Sequence, residues 1–230
     1  MSQLLIAVKS CLKDLDRGCH DAIRGTWGQA FRGKAIVKFF VGAETDGKTS
    51  RNYKSDEFVV DAPDGYNGLV FKTRAICQYM IGKNLDNVLL VDTDCCVYPK
   101  KVFNAGYEMV DYTGRFNGEF GGVGPRDVVG KAGNTETIDR CYSWASGAGY
   151  FLSRRAAFEI AETFPREQDY IAGSYEDLWV GQVLGPLVAK GELISLPLAE
   201  PVAKYFLRDG HSKGYDPKSG WMEEAWREFV

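Results

Sequence analysis

The chain has 230 residues, of which 28 are lysine or arginine and 31 are aspartate or glutamate, giving a formal charge of −3. With 45 % apolar and 26 % charged residues, its composition excludes a disordered, collagen-like or coiled-coil chain. The acidic balance disfavours a non-specific nucleic-acid binder, because such proteins carry net positive charge. At roughly 150 residues per domain, this length predicts one large domain or two small ones.

Six cysteines are spread along the chain, at positions 11, 19, 77, 95, 96 and 141. No two of them have C-x-x-C spacing, and the adjacent Cys95 and Cys96 suit neither a zinc knuckle nor a disulfide framework. We therefore expect reduced thiols, as in a cytosolic protein.

No stretch of the sequence approaches the roughly 20 apolar residues that a membrane helix needs. The N-terminal segment Met1–Lys9 lacks the basic and apolar regions of a signal peptide and predicts a strand instead. The expectation is a soluble, cytoplasmic protein without a membrane segment. A domain trimmed from a secretory-pathway precursor, or a virus-encoded enzyme in a host cytoplasm, would look the same.

Short strands alternate with helices in the first half of the chain. Val88–Val91 is a run of apolar residues typical of a central strand that is buried on both faces. Strands are predicted at Leu4–Val8, Ala35–Gly42, Glu57–Val60 and Val88–Val91, and helices at Asp21–Trp27, Tyr66–Ile81 and Lys101–Asp111. This alternation predicts an α/β fold with a mostly parallel sheet.

The second half begins with a glycine-rich segment, Gly114–Asn134, which predicts a loop or a small irregular sheet. Regular structure is expected again from Tyr150–Leu152, followed by helices at Arg154–Thr163 and from Ser174 to about Lys190. The tail after Pro197 is rich in aromatic residues and is expected to pack against the rest. Without a repeat or a linker, residues 1–230 are predicted to form a single domain.

An acidic pair, Asp92 and Asp94, directly follows the buried strand Val88–Val91. Open α/β sheets bind ligands at the carboxyl edge of their strands. In an extended segment, side chains two residues apart lie on the same side. Two carboxylates there suit Mn²⁺ or Mg²⁺, with open positions for phosphate oxygens. The alternative is an ordinary turn at the end of a strand, where aspartate is common.

Five segments in order along the chain carry a family resemblance. They read AIRGTWG at 22–28, DGYNGLVFKT at 64–73, DTD at 92–94, SGAGYFLSR at 146–154 and EDLWVG at 176–181. They resemble the patterns A-I-R-x-T-W-G, D-x-Y-x-N-L-T-x-K-T, D-D-D, S-G-x-G-Y-x-L-S and E-D-V-x-x-G of the β1,3-galactosyltransferase/Fringe-like superfamily of inverting GT-A glycosyltransferases. The chain departs from these patterns at Thr93, where the family has a third aspartate, and at Asn67–Val70, where the pattern is shifted by one residue.

The resemblance implies a GT-A-type, Rossmann-like single domain with a mostly parallel central sheet flanked by helices. A nucleotide-sugar half would span about residues 1–113, and an acceptor and catalytic half about 114–230. The implied reaction is metal-dependent, inverting transfer of a sugar from a nucleotide sugar, expected to be a UDP-sugar, to an acceptor hydroxyl. Mn²⁺ or Mg²⁺ would be held by Asp92, Asp94 and the late histidine His211. The alternative for His211 is a surface turn residue.

The resemblance assigns the general base to Asp177, the second acid of Glu-Asp in EDLWVG. A base that accepts the acceptor proton during in-line attack would invert the anomeric carbon. A purely structural alternative exists, because Ser174 and Asp177 also fit the S-x-x-D pattern of a helix N-terminal cap. The two roles are compatible.

Donor contacts are expected from residues around the predicted sheet edge. For Arg24 and Lys72 the alternative is a solvated helix charge, and for Tyr66 it is packing at a helix start. The glycines of SGAGY precede a strand rather than follow one, which is the wrong order for a dinucleotide fingerprint and favours close backbone approach to a sugar. The complete set of predicted donor-binding residues is Arg24, Tyr66, Asn67, Lys72, Asp92, Thr93, Gly147 and Gly149.

The acceptor hydroxyl is expected on a glycan or a protein. An alternative acceptor is a hydroxymethylated base in viral or phage DNA, toward which a basic patch at Lys100, Lys101, Arg154 and Arg155 would offset the acidic charge. A further alternative is a non-catalytic module that binds nucleotide sugars on a GT-A fold. A nucleotidyltransferase is disfavoured, because residues 9–13 do not form the glycine-rich basic loop of that class.

Overall fold

A seven-stranded sheet lies at the centre of the part of the chain that the structure describes. In this computed structural model, that part comprises residues 3–43, 52–117, 126–129, 135–138, 140–166 and 176–205, with Met222, Trp226 and Arg227. The strands are β1 Leu4–Lys9, β2 Ile36–Ala43, β3 Glu57–Pro63, β4 Asn87–Asp92, β5 Cys95–Val97, β6 Tyr112–Asn117, β7 Arg126–Val129, β8 Thr135–Ile138, β9 Trp144–Ser153, β10 Ser195–Pro197 and β11 Ala203–Tyr205.

Six α-helices belong to the same described ranges: α1 Leu12–Asp16, α2 Cys19–Gly25, α3 Leu69–Gly82, α4 Pro99–Phe103, α5 Arg154–Glu162 and α6 Glu176–Ala189. Short 3₁₀ turns occur at Trp27–Phe31, Tyr66–Gly68 and Tyr107–Met109. Within these ranges, each helix is too short or too polar to cross a membrane.

The strand order of the sheet is β10-β6-β9-β4-β1-β2-β3. β1 pairs in parallel with β2 and β4, β2 with β3, and β6 with β10. β9 is antiparallel to both β4 and β6 and is therefore the reversed strand of the sheet. This topology confirms the predicted α/β class, a mostly parallel sheet flanked by helices, and is consistent with a Rossmann-like GT-A fold. Both predicted halves of the chain contribute strands to it.

The sheet is buried on both faces because its central strands are apolar on both. In β1, Leu5 and Ala7 face one layer, whereas Leu4, Ile6 and Val8 face the other. The first layer is built from α3, α5 and α6, and the second from α2, the 3₁₀ turn at Trp27–Phe31 and α4. Val88–Val91 of β4 is fully buried, as predicted.

Two helix predictions differ from the structure. The helix predicted at Lys101–Asp111 is wrong from Asn104 onward, because α4 ends at Phe103 and Gly106 adopts a left-handed conformation (φ 68°). The helix predicted at Asp21–Trp27 is α2, shifted toward the N-terminus and followed by a 3₁₀ turn. Most of the glycine-rich segment and of the aromatic tail lies outside the described residues. Met222 is buried and Trp226 packs against the second layer.

α6 packs closely against β9 because two glycines of the helix face that part of the chain. A Cβ on Gly181 would lie 2.5 Å from the Trp144 Cβ and 2.7 Å from the Ser143 carbonyl oxygen. A Cβ on Gly185 would overlap the Tyr142 side chain. These contacts fix the distance between α6 and the start of β9.

We therefore expect Gly181→Ala to destabilise the protein by about 1–3 kcal/mol, because the Ser143 carbonyl oxygen and the Trp144 side chain leave no space for the added methyl. Gly82→Ala is the matched control, since a Cβ at the last residue of α3 has nothing within 4 Å. That variant should be neutral or up to about 1 kcal/mol more stable. Urea unfolding measures both, and equal stability of the two variants would contradict this packing.

Candidate active site

The carboxyl ends of β1, β2, β3 and β4 share one edge of the sheet, because these strands run in the same direction. Ser10, Asp64 and Asp92 therefore lie at this edge. β9 runs the other way, with Tyr150 opposite Leu90, so its first residues reach the same edge. This is the place where the sequence predicts the donor site.

The acidic pair lies at a turn. Asp92 is the last residue of β4, Thr93 and Asp94 form the turn, and β5 begins at Cys95. The expectation of one continuous extended segment is therefore wrong for Asp94. Thr93 is buried, and its hydroxyl donates a hydrogen bond of 2.6 Å to Asp14 Oδ2 on α1.

Tyr66 stands beside this acidic turn. It is 65 % exposed, and its pKa is raised by burial of its hydroxyl and by the charges of Asp92, Asp94 and Asp14. The charges of all three carboxylates thus favour the protonated hydroxyl of Tyr66. Asn67 is exposed next to Tyr66, so both predicted donor residues lie at the surface of the edge.

A buried lysine lies beneath the turn. Lys9, the last residue of β1, has a side chain that is only 1 % exposed, and its Nζ lies 3.4 Å from Asp92 Oδ1 and 2.6 Å from Glu176 Oε2. Burial lowers the pKa of Lys9, but Asp92 and Glu176 outweigh it and raise that pKa above its usual range. Lys9 is therefore a permanent cation between two acids.

Asp177 follows Glu176 on α6 and is partly buried. Its Oδ2 accepts a hydrogen bond of 3.1 Å from the Gly147 N–H, and its Oδ1 accepts one of 2.9 Å from the Leu178 N–H. Burial and the charge of Glu176 raise the pKa of Asp177 to about 6, although Lys9 lowers it. A carboxylate with such a pKa is ionised at neutral pH and basic enough to take a proton.

The two predicted glycines of β9 have different surroundings. The backbone of Gly147 holds Asp177. Gly149 has φ 149°, and a Cβ there would lie 3.5 Å from the side chains of Val91 and Ala203. Gly149 thus allows β9 to approach β4 and β11 closely.

Lys72 is buried and holds the loops of the sheet edge together. Its Nζ donates hydrogen bonds of 2.6 Å to the carbonyl oxygens of Ser10 and Asp64. The Asp64 carboxylate in turn accepts hydrogen bonds from the N–H groups of Leu12 and Gly42. Burial lowers the pKa of Lys72. The structure gives Lys72 a scaffolding role, and its predicted donor contact stays a prediction.

Arg24 lies in a separate ion-pair network. Its guanidinium donates to Asp56 through Nε and Nη2, to Glu57 through Nη2 and to Asp21 through Nη1, at 2.6–2.8 Å. A cleft of about 280 Å³ beside this network is lined by Arg24, Lys54 and Glu57, among others. Of the predicted site residues that the structure describes, Arg24 alone lines this cleft. Its role as a donor contact stays a prediction.

Ser10, His20 and Glu57 form a hydrogen-bonded chain that connects this network to the end of β1. His20 Nε2 lies 2.7 Å from Ser10 Oγ, and His20 Nδ1 lies 3.0 Å from Glu57 Oε1. Such spacing matches that of a hydrolase triad. However, Ser10 is only 4 % exposed, so its hydroxyl is not open to a substrate. Through these hydrogen bonds, His20 links Ser10, directly after β1, to Glu57 of β3.

The carboxylates at the turn fit a hard divalent cation in kind, since Mg²⁺ and Mn²⁺ are commonly bound by one or two carboxylates together with substrate phosphates. Among the described residues, no three His, Cys, Asp or Glu side chains are placed to hold a metal by themselves. His211 and the Ser174 of the alternative helix cap lie outside the described residues, so neither prediction is tested.

The galactosyltransferase family model matches residues 19–115, less than half of the chain. The match supports a galactosyltransferase-like glycosyltransferase. It includes Arg24, Tyr66, Lys72 and the acidic turn, and it ends before Asp177. No curated protein sequence matches the chain. The solved "Crystal Structure of A197 from STIV" is 12 % identical, covers 90 % of this chain and 86 % of its own, and has a TM-score of 0.38.

Three residues of this candidate site were missed by the sequence analysis: Lys9, Asp64 and Glu176. Asp64 and Glu176 lie inside the segments that carry the resemblance, so their position was a usable signal. Lys9 had a signal too, because it is a charged residue that directly follows five apolar residues in β1, at the edge of the sheet where ligands bind. In each case the side chain supports other residues of the site.

We expect His20 to make stability depend on pH. Burial lowers the pKa of His20 below the roughly 6.5 of an unfolded histidine, even though Glu57 raises it. The unfolded state then binds a proton more readily, so the free energy of unfolding falls as the pH drops below about 6.5. His20→Gln removes this titration and should show a smaller fall. Urea unfolding at about pH 7.5 and about pH 5.5 measures both, and equal falls would contradict a neutral buried His20.

Proposed function

We propose that this chain is a metal-dependent, inverting glycosyltransferase of the β1,3-galactosyltransferase/Fringe-like type. It would move a sugar from a nucleotide sugar, a UDP-sugar in the first instance, to a hydroxyl of a glycan or protein. The observation that carries the proposal is that the acidic turn and Asp177 lie at one edge of the sheet, joined through Lys9 and Glu176.

Asp177 is the group that accepts the acceptor proton. Its two hydrogen bonds from the N–H groups of Gly147 and Leu178 orient the carboxylate, and they leave further lone pairs for an acceptor hydroxyl. When the hydroxyl oxygen attacks the anomeric carbon, its proton moves to Asp177. The bond to the leaving diphosphate breaks on the opposite face, which inverts the anomeric carbon.

Asp92 and Asp94 are the residues that would hold Mn²⁺ or Mg²⁺, with His211 as a further candidate. The bound cation would neutralise charge on the departing diphosphate. Lys9 limits the negative charge at Asp92, and Thr93 keeps the nearby Asp14 engaged in a hydrogen bond. Tyr66, which lies near Asp92 and Asp94, and the neighbouring Asn67 are both exposed and would contact the nucleotide.

The proposal is tested by incubating the protein with Mn²⁺ and a panel of UDP-sugars, with and without candidate acceptors, and measuring UDP release. We expect release that requires the metal and stops with a chelator. Glycan, protein and hydroxymethylated-DNA acceptors form separate arms, because the acceptor class is the least constrained part. If no UDP is released and UDP does not bind in a metal-dependent way, the assignment as a glycosyltransferase is wrong.

Asp94→Asn should weaken Mn²⁺-dependent UDP binding at least about tenfold, since loss of even an outer partner of a metal ligand costs that much. Asp61→Asn is the matched control, because Asp61 is an exposed carboxylate on β3. Titration calorimetry with UDP and Mn²⁺ measures both variants. Unchanged binding in Asp94→Asn would exclude Asp94 as a metal ligand.

Asp177→Asn should lower kcat by about 10²–10⁴-fold while UDP binding stays near normal, because the amide cannot accept the acceptor proton. In the wild-type protein, kcat/KM should fall as the pH drops below about 6, where Asp177 takes up a proton. Steady-state kinetics over a pH series test both statements. Substantial remaining transfer by Asp177→Asn would rule out this base.

A further inference from the structure

A buried ion pair connects the acidic turn, where the cation would bind, to the helix that carries the proposed base Asp177. The Lys9 ammonium lies 2.6 Å from Glu176 Oε2 and 3.4 Å from Asp92 Oδ1, and the Lys9 and Glu176 side chains are 1 % and 3 % exposed. Asp92 belongs to the acidic turn, and Glu176 directly precedes the proposed base. One side chain of β1 therefore touches the turn on one side and the base-bearing helix on the other.

Glu176 extends this connection to two further elements. Its Oε1 accepts hydrogen bonds from the Thr73 hydroxyl on α3, at 2.5 Å, and from the Tyr150 hydroxyl on β9. Its Oε2 is taken by Lys9. Both oxygens are thus bound from three elements, so the described start of α6 is held at a fixed point of the sheet edge.

We propose that Lys9 and Glu176 are positioning residues for sugar transfer, which hold Asp177 at a fixed distance from the acidic turn. This inference rests on the proposed function. Both side chains are buried, so in this role they need no contact with donor or acceptor. They act through Asp92 and Asp177, so that the leaving diphosphate and the attacking hydroxyl meet in line.

The pair also balances charge around the base. Five groups act on Asp177: Glu176 of α6 raises its pKa, Lys9 of β1 lowers it, the N–H groups of Gly147 and Leu178 lower it, and Tyr112 of β6 interacts with it. Because Lys9 and Glu176 have opposite effects, removing Glu176 alone shifts the basicity of Asp177, and removing Lys9 as well shifts it back toward its original value. A role in folding alone does not predict this pattern.

The first experiment measures transfer kinetics with Mn²⁺ and the donor found active. Lys9→Met/Glu176→Gln is the main variant, because it removes both charges and leaves no unpaired buried ion. We expect kcat to fall about 100-fold, as for a reacting group displaced by about 1 Å. Lys9→Arg, which keeps the charge and leaves Glu176 in place, should retain most of the wild-type kcat. Lys83→Met, at an exposed lysine, is the control and should leave kcat unchanged.

The second experiment is independent of turnover and follows the Asp177 carboxyl carbon by ¹³C NMR during a pH titration. Glu176→Gln should lower the pKa of Asp177, and Lys9→Met/Glu176→Gln should return it toward the wild-type value. Asp177→Asn identifies the resonance. An unchanged or raised pKa in Glu176→Gln, or no return in the double variant, would overturn the inference.

The two proposals fail in distinguishable ways. An active wild-type protein whose double variant keeps kcat within about threefold would overturn the positioning role and leave the proposed function standing. A wild-type protein that releases no UDP in any arm would overturn the proposed function, and the positioning role in transfer with it. The NMR result would still show whether the pair sets the basicity of Asp177.

Discussion

The arrangement of the site depends on one interaction, the buried ion pair of Lys9 and Glu176. Two charges removed from water are costly, and removing one partner of such a pair destabilises a protein by about 3–5 kcal/mol. Here the cost is offset because both carboxylate oxygens are bound, by Lys9 on one side and by Thr73 and Tyr150 on the other. Four elements of the fold must therefore converge at this point. That requirement determines where the acidic turn and Asp177 can lie.

The reversed strand β9 makes this convergence possible. Because β9 runs antiparallel between β4 and β6, its first residues reach the edge where β1 and β4 end. Gly147 there binds Asp177 through its N–H, and Gly181 lets α6 lie directly against Trp144. A parallel strand at this position would bring its carboxyl end to the same edge, and the chain segment that receives Asp177 would be a different one.

Local sequence patterns predicted the parts of the fold whose signals are local. Val88–Val91 is apolar throughout, and the structure buries it fully, with Asp92 at the carboxyl edge as expected. The order of strands could not be predicted in this way, because the pairing of β9 with β4 depends on residues about sixty positions apart. Lys9 and Glu176 were missed for a related reason. A charged residue is normally solvated, so the position of Lys9 or Glu176 in the sequence marks it as unusual but does not identify the distant partner that pairs with it.

The cations that the sequence suggested for the donor have structural partners, and this bears on how the diphosphate charge would be met. Lys72 gives hydrogen bonds to two backbone carbonyls of the edge loops, and Arg24 gives its guanidinium hydrogens to Asp21, Asp56 and Glu57. Turning Lys72 toward a phosphate would leave the Ser10 and Asp64 carbonyl oxygens without this donor, and turning Arg24 would do the same to the buried Glu57 carboxylate. Each buried acceptor left unpaired costs about 1–3 kcal/mol. The divalent cation proposed at Asp92 and Asp94 would meet the same charge without that cost. The partners of Arg24 and Lys72 therefore agree with the proposed use of a metal rather than these two side chains to meet the diphosphate charge.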